Sequence, residues 1–423
     1  MSAAETIRRL DPSGDVRVVT NDPDGYYSRP GLAYYLTGDL PRQQIFPYPA
    51  NHWRQIGVRL TQGTAAGLDP VGHRLCLASG ETLAYDRLLL ATGAEATLPD
   101  ISGTDLEGVV RLDSVQDADR ILRLARRGQT AVVTGGGITA LELVEALSTR
   151  GMKVHYLLRG ERYWSAVLDP AESRIVEERL KHDGILVHYN TNLNSVIGRG
   201  GRVAAVNVSN GTAERSIPCS MLAVAIGVRP RTALARSAGL EINKGIRAGD
   251  NLATSQPDIY AAGDAAEVLD PRSGKYLIDS LWRPALDMGA VAGTNMCGQS
   301  AVYRKAAPFN VTRLAGLVTT IIGQVAPAPD AANLDRDVRG IMRGDSLSWR
   351  EHPELVIAEA GAGDNRLRLY LRGTRAAGAL LMGDQRLSTT LQKLIRSEID
   401  LSDLCHDLRD PSRRLYDLLE QYR

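Results

Sequence analysis

Phenylalanine is nearly missing from this chain, with two in 423 residues, and all aromatics together make up 5%. A chain so poor in large rings must fill its interior with aliphatic and small residues. The four cysteines, Cys76, Cys219, Cys297 and Cys405, are far apart in sequence. No CxxC or CxxxxC redox pair and no zinc-ligand spacing can be drawn among them, and buried free thiols are the expectation. The seven histidines form no HExxH or HxH cluster, so no metal is expected. Lys and Arg number 50 against 49 Asp and Glu, a net charge of +1. Nothing in that balance advertises nucleic acid or an anionic membrane as a partner. The longest apolar stretches, such as LLLATGA and LAGLVTTIIG, are too short to cross a bilayer. The start carries no signal-peptide pattern, which leaves the cytoplasm as the expected location.

What is abundant is glycine, at 41 positions, and its placement is informative. In TAVVTGGGITALELVEALSTRGMKVHYLL (130–158) an apolar strand runs into Gly135, Gly137 and Ala140, then a helix, then a second strand. This is the GxGxxG/A dinucleotide fingerprint in its required strand–loop–helix context. Gly135 permits the tight turn, Gly137 lets backbone approach a pyrophosphate, and Ala140 allows close helix–strand packing. The pyrophosphate is then expected on the helix N-terminus, where unpaired N–H groups and the helix dipole favour an anion.

The first residues, MSAAETIRRLDPSGDVRVVTND, align with the second half of the same unit. Glu5 falls opposite Glu145 and VRVVT opposite VHYLL, which places Met1 opposite Leu141. The opening strand and the glycine loop of this first unit are therefore not in the sequence, and they are expected to lie upstream of where it was started. Its far end is present. Asp22 closes the strand at the spacing of a carboxylate that binds an adenosine ribose.

Each unit is followed by a β-rich stretch. Residues 74–94 read as a hairpin around Ser79-Gly80 and a buried strand; residues 202–227 repeat the pattern around Asn210-Gly211. Both end in small-residue turns, Thr92-Gly93 and Ile226-Gly227. A short strand then ends on Gly263-Asp264, and LWRPALDMGAVAGTNMCG follows as a helix. From about residue 305 the pattern changes to short strands and two terminal helices. The fold class is α/β: two Rossmann-like, three-layer dinucleotide-binding domains plus a C-terminal α/β domain of the interface type.

YSRPGLAYYLTG, YDRLLLATGA, AIGVRP and TSQPDIYAAGD, set around two nucleotide units, resemble the FAD-dependent pyridine nucleotide-disulfide oxidoreductases over roughly residues 1–325. Within them the chain is most similar to rubredoxin and ferredoxin reductases and to the FAD part of assimilatory nitrite reductases, whose small C-terminal domain LMGDQRLSTTLQKLI resembles. The resemblance implies an FAD domain over 1–114 and 245–304, an NAD(P) domain over 115–244 and the C-terminal domain over 305–423. It implies that Asp22 holds the FAD ribose and that Ser28, Arg29 and Pro30 line the flavin. Thr92, Gly93 and Gly263 lie along FAD, Asp264 meets its ribityl–pyrophosphate region, and Gly227 lines the nicotinamide nucleotide. The helix opening at Trp282 would aim N–H groups at the flavin C2 carbonyl, where negative charge develops. A plain core role for Trp282 and a solvated turn role for Asp264 are the alternatives. Glu142 would face the nicotinamide–flavin contact and is the candidate catalytic residue, against the alternative of an ordinary helix-N-terminal carboxylate.

The departures are equally informative. Disulfide reductases of this fold carry a cysteine pair after the first nucleotide unit, and this chain has none there. Single-cysteine relatives carry their Cys before GLxYY, where this chain has Pro30. Reductases nearest in sequence place Lys where Tyr34 stands. Leu158 stands where an acid would select NAD, and Arg159 and Arg162 follow, which suits a 2′-phosphate and leans to NADPH. Unpartnered surface charge is the alternative for both arginines. The implied activity is a flavin-dependent NAD(P)H:acceptor oxidoreductase without a redox-active cysteine. Its electrons would pass to a rubredoxin- or ferredoxin-like protein or to a siroheme nitrite reductase partner, and the C-terminal domain suggests a possible homodimer. The competing expectation is a degenerate NAD(P)-binding protein without FAD, regulatory or non-catalytic. A short-chain dehydrogenase is excluded because no Tyr is followed four residues later by Lys.

Overall fold

The computed structural model describes all residues except 50, 212, 271–273, 328–340, 351–355, 405–406, 408–413 and 423. Cys405 therefore lies outside the described residues. The chain divides into two compact units, residues 1–95 with 228–305 and residues 96–227 with 306–423. The breaks fall at 95/96, 227/228 and 305/306, and the C-terminal segment shares a unit with the glycine-loop segment.

The first unit opens with helix Ser2–Leu10 and strand Val16–Thr20, which pairs in parallel with Val58–Gln62. Leu88–Leu90 pairs in parallel with Ile259–Ala261. These two pairs form separate two-stranded sheets, and no described strand joins them. The expected first hairpin is a three-stranded antiparallel meander, Ala65–Asp69, Arg74–Leu77 and Thr82–Ala84, with Gly80 in the turn at φ 91°. Helix Trp282–Met296 packs against helix Ser2–Leu10 at glycines. A Cβ on Gly293 would stand 2.7 Å from the Ala3 carbonyl oxygen, and one on Gly289 would stand 3.1 Å from Ser2 Cβ. The absence of side chains lets the two backbones meet, and the Ser2 hydroxyl donates to the Leu286 carbonyl at 2.8 Å.

In the second unit a five-stranded parallel sheet runs in the order Leu186–His188, Lys153–Leu157, Thr130–Thr134, Met221–Val224 and Val109–Val110. Its central strand is buried from Ala131 to Thr134, as continuous apolar runs in covered parallel sheets are. Two helices begin in capping boxes: Ser114 and Asp117 for Val115–Leu124, and Asp169 and Glu172 for Pro170–His182, where Pro170 also sets the first helical φ. The second meander, Asn192–Arg199, Arg202–Asn210 and Ala213–Pro218, pairs down to Asn210↔Ala213.

The C-terminal part is an antiparallel sheet of five strands, Phe309–Leu314, Leu317–Gly323, Arg375–Met382, Asn365–Arg372 and Val356–Ala362 in spatial order. Leu367, Leu369, Leu371, Ala379 and Leu381 bury one face against helices Ser388–Arg396 and Leu415–Glu420. On the same strand Arg368 is 1% exposed, and its guanidinium donates to Glu172 at 3.0 Å and to the Val167 carbonyl at 2.7 Å. This pair ties the C-terminal sheet to helix Pro170–His182. Breaking a buried pair leaves a desolvated charge uncompensated, at about 3–5 kcal/mol. Arg368→Met is expected to lower the stability of the second unit by about that amount in thermal or urea unfolding. Arg368→Met combined with Glu172→Gln, which removes the charge but keeps an oxygen for the Asp169 N–H, should recover most of it. Equal stability of the single variant and the unaltered chain would contradict this role.

Candidate functional site

The glycine turn is built by close approach. Gly135 sits at φ 141°, and a Cβ there would lie 2.1 Å from the Ala225 carbonyl oxygen and 3.1 Å from Ala140 Cβ. The first glycine and the small residue five positions later are therefore required by the same contact. Gly137 caps helix Ile138–Thr149 without a side-chain hydrogen bond, leaving first-turn N–H groups as donors for an anion. Its ideal Cβ would lie 2.4 Å from the Met342 sulfur. Gly227, at φ 125°, approaches the Ile341 carbonyl oxygen, 2.9 Å from where its Cβ would be. The structure thus brings Gly135, Gly137, Ala140 and Gly227 together at the C-terminal ends of adjacent parallel strands, where α/β sheets bind ligands.

Glu142 lies one turn into that helix and is half-buried. Burial pushes its carboxyl up to about 8, and the charge of Glu145 adds to the rise while Arg343 opposes it. Glu145, three residues on and on the same helix face, is pushed up to about 7 by burial, against the backbone N–H of Gly316, which donates to it at 2.9 Å. Arg343 makes a close ion pair with Asp113, a buried carboxylate that also accepts the Ala96 N–H at 2.8 Å. Met342, Arg343 and Asp113 escaped the sequence reasoning, for they stand in no motif and no periodic pattern. Leu158 is 2% exposed, so its side chain points inward, whereas Arg159 is exposed and Arg162 half-buried.

In the first unit Asp22 lies just past its strand. The Tyr27 hydroxyl donates to one carboxylate oxygen at 2.9 Å and the Asp24 N–H to the other at 3.1 Å. Those bonds fix its orientation. The Ser28 N–H donates to the Ile45 carbonyl at 2.7 Å, while Arg29 and Pro30 are exposed, with the Arg29 guanidinium 5.4 Å from the Tyr27 ring centre. Thr92 and Gly93 are held by Arg231: the Thr92 hydroxyl donates to its carbonyl at 2.7 Å, and its N–H donates to the Gly93 carbonyl at 2.9 Å. Gly263 takes φ 72°, and Asp264 accepts a 2.6 Å bond from the Ser280 hydroxyl. Trp282 begins its 15-residue helix 56% exposed, with no side chain capping the first turn. A core role for this ring is thereby overturned. Pro284 at the third helical position lacks an N–H, so the donors there are those of Trp282 and Arg283.

Cys76, Cys219 and Cys297 are free thiols, and burial pushes Cys219 up to about 12, which leaves it protonated and unreactive. Among the described residues no helix is long and apolar enough to cross a membrane, and no cluster of three or more His, Cys, Asp or Glu could hold a metal ion.

Two substitutions separate the roles of the glycines. Gly135→Ala is expected to cost about 4 kcal/mol or more, because its neighbour is backbone. Gly137→Ala, whose neighbour is the flexible end of Met342, should fold with a loss below about 1.5 kcal/mol while weakening nucleotide binding. Equal melting temperatures for the two would contradict the geometry. The two glutamates make a second prediction. Their folded pKa values stand above the ordinary 4.5, so folding favours the protonated acids. That stabilisation is complete below about pH 4.5 and disappears as pH rises through about 7 and 8. Glu142→Gln with Glu145→Gln should therefore flatten the decline in urea midpoint between pH 5 and 8.5; an unchanged decline would show that other groups cause it.

The family model described as "Pyridine nucleotide-disulphide oxidoreductase" matches residues 1–289. An NADH oxidase of Methanocaldococcus jannaschii is 29% identical over 358 residues, 82% of this chain and 78% of that protein. A rubredoxin-NAD(+) reductase of Ectopseudomonas oleovorans is 28% identical over 360 residues, 85% of this chain and 86% of that one. In fold, the chain matches the crystal structure of a covalent putidaredoxin reductase–putidaredoxin complex with a TM-score of 0.85 at 20% identity, covering 100% of this chain and 95% of that one. Family model, motifs and fold agree: this chain belongs to the pyridine nucleotide-disulphide oxidoreductases.

Proposed function

We propose that the chain is an FAD-dependent NAD(P)H:acceptor oxidoreductase, with FAD carried by the first unit and the nicotinamide nucleotide by the second. The observation that carries this reading is Trp282, a large ring exposed at an uncapped helix N-terminus in the same unit as the oriented carboxylates Asp22 and Asp264. An exposed ring beside first-turn N–H groups without intrahelical acceptors offers a surface that a planar, partly anionic ligand can cover. The donor set suits FAD: a carboxylate for the ribose, hydroxyl and carboxylate groups for the ribityl chain, and helix N–H groups for the pyrimidine carbonyl. When bound, FAD would supply an acceptor for hydride from the nicotinamide and the capacity to release electrons one at a time.

The protein's own residues position and tune. Asp22 would hold the ribose, with Ser28, Arg29 and Pro30 beside the isoalloxazine, Thr92 and Gly93 along the chain of FAD, and Gly263 and Asp264 at the ribityl–pyrophosphate region. The N–H groups of Trp282 and Arg283 would stabilise negative charge on the ring they face. In the second unit Gly135, Gly137, Ala140 and Gly227 form the nucleotide cradle, and Glu142 would lie at the nicotinamide end. A carboxyl held near 8 is largely protonated at neutral pH, where its O–H can donate to the carboxamide. Arg159 and Arg162, following the inward Leu158, would pair with the 2′-phosphate of NADPH.

The acceptor is a small redox protein of the rubredoxin or ferredoxin class or a nitrite reductase-type partner. The relative named for rubredoxin and the fold match to a putidaredoxin complex support that class. Thiol relays are disfavoured, because Pro30 precedes GLAYY and no cysteine stands near it. Free thiols in the structure suit a reducing compartment, the cytoplasm.

The test is oxidation of NADPH and NADH by FAD-loaded protein with rubredoxin, ferredoxin or oxygen as acceptor. Protein carriers should outpace oxygen by at least tenfold, and Arg159→Ala with Arg162→Ala should raise KM for NADPH about tenfold or more while leaving NADH unchanged. A fast reaction with oxygen alone would favour an oxidase. Nicotinamide binding by a chain that retains no FAD would leave the non-catalytic binding protein as the better reading.

A further inference from the structure

The residues that cross the glycine loop of the second unit come from the C-terminal segment of the chain. Ile341 and Met342 are buried, at 7% and 9% exposure. The Met342 sulfur lies 2.4 Å from the position of a Cβ on Gly137, the Ile341 carbonyl oxygen 2.9 Å from that on Gly227, and Gly344 packs by Ile138 Cδ1. Arg343 pairs closely with Asp113, and the Asn310 side-chain amide donates to the Gly344 carbonyl at 3.0 Å. Four consecutive residues thus lie over the ends of two neighbouring parallel strands and the start of helix Ile138–Thr149.

The second glycine of a dinucleotide fingerprint is bare so that the pyrophosphate can approach its backbone. Here the thioether of Met342 already fills that approach. From this geometry we infer that residues 341–344 form an internal strap that occupies the dinucleotide site and must move aside for the nicotinamide nucleotide to bind. The inference rests on the reading that this unit binds NAD(P)H. Its anchors include the Arg343–Asp113 ion pair, the Asn310–Gly344 hydrogen bond and the burial of Ile341 and Met342, contacts of the kind a bound ligand can replace. While the strap is down the cradle is unavailable, so the apparent affinity for nucleotide falls by the fraction of molecules in which it is open.

The experiment combines two measurements on the full chain. Hydrogen exchange of the backbone amides of 341–346 is followed with and without NADPH, and dissociation constants for NADPH and NADH are measured for the unaltered protein and for Met342→Ala with Arg343→Gln. Melting curves confirm that the variant folds. Release of the strap predicts faster exchange at 341–346 when nucleotide is bound, and binding tightened about fivefold or more in the variant. Slower exchange on binding, or unchanged or weakened binding by the folded variant, would overturn the inference and make these residues a wall of the occupied site, with nucleotide binding itself intact. If neither protein binds either nucleotide, the nicotinamide reading of this unit fails and the strap falls with it. The exchange measurement needs no variant, so it decides the matter even where the substitution impairs folding.

Discussion

The contact on which the second unit depends is the one between Gly135 and the Ala225 carbonyl, where a side chain would leave 2.1 Å. It allows the chain to leave the central strand, turn at once and start helix Ile138–Thr149 directly above the sheet. Ala140 must be small for the same reason, since its Cβ closes the other side of that space. The anion-binding helix end, the burial of Glu142 and the place where Gly227 can be reached all follow from how tightly this turn is made. Such contacts have no tolerance, because packed interiors relax little.

The surroundings of that turn set the electrostatics. Burying carboxylates is unfavourable unless they are paired or protonated. Asp113 takes the first route through Arg343, whereas Glu142 and Glu145 are carried toward the second by burial, with the charge of Glu145 adding to the rise of Glu142 and that of Asp183 to the rise of Glu145. The C-terminal segment contributes at several points of this unit: Arg368 on Glu172, Gly316 on Glu145, and Arg343 on Asp113. Residues far apart in sequence therefore tune one another, and the C-terminal segment takes part in the nucleotide unit's own chemistry.

Much of this was legible in the sequence because local backbone demands leave local traces. The glycine turn announced itself through Gly135, Gly137 and Ala140 between two apolar strands, and helix Trp282–Met296 through its spacing of small and apolar residues. What remained hidden depends on distant contacts. Nothing in GIMRGD marks Met342 as the neighbour of a glycine two hundred residues earlier, and nothing around Asp113 marks it as a buried anchor. Trp282 shows the limit from the other side: a tryptophan reads equally well as core or as ligand surface, and only its exposure separates the two.

The central claim is that nicotinamide and flavin chemistry are joined in this chain. Its most direct measurement is an anaerobic titration of the FAD-loaded protein with NADPH, following flavin absorbance. The account predicts bleaching of the oxidised flavin that is complete near one equivalent of nucleotide, with recovery on adding an oxidised small redox protein. Flavin that stays oxidised in the presence of excess bound NADPH and NADH would contradict it.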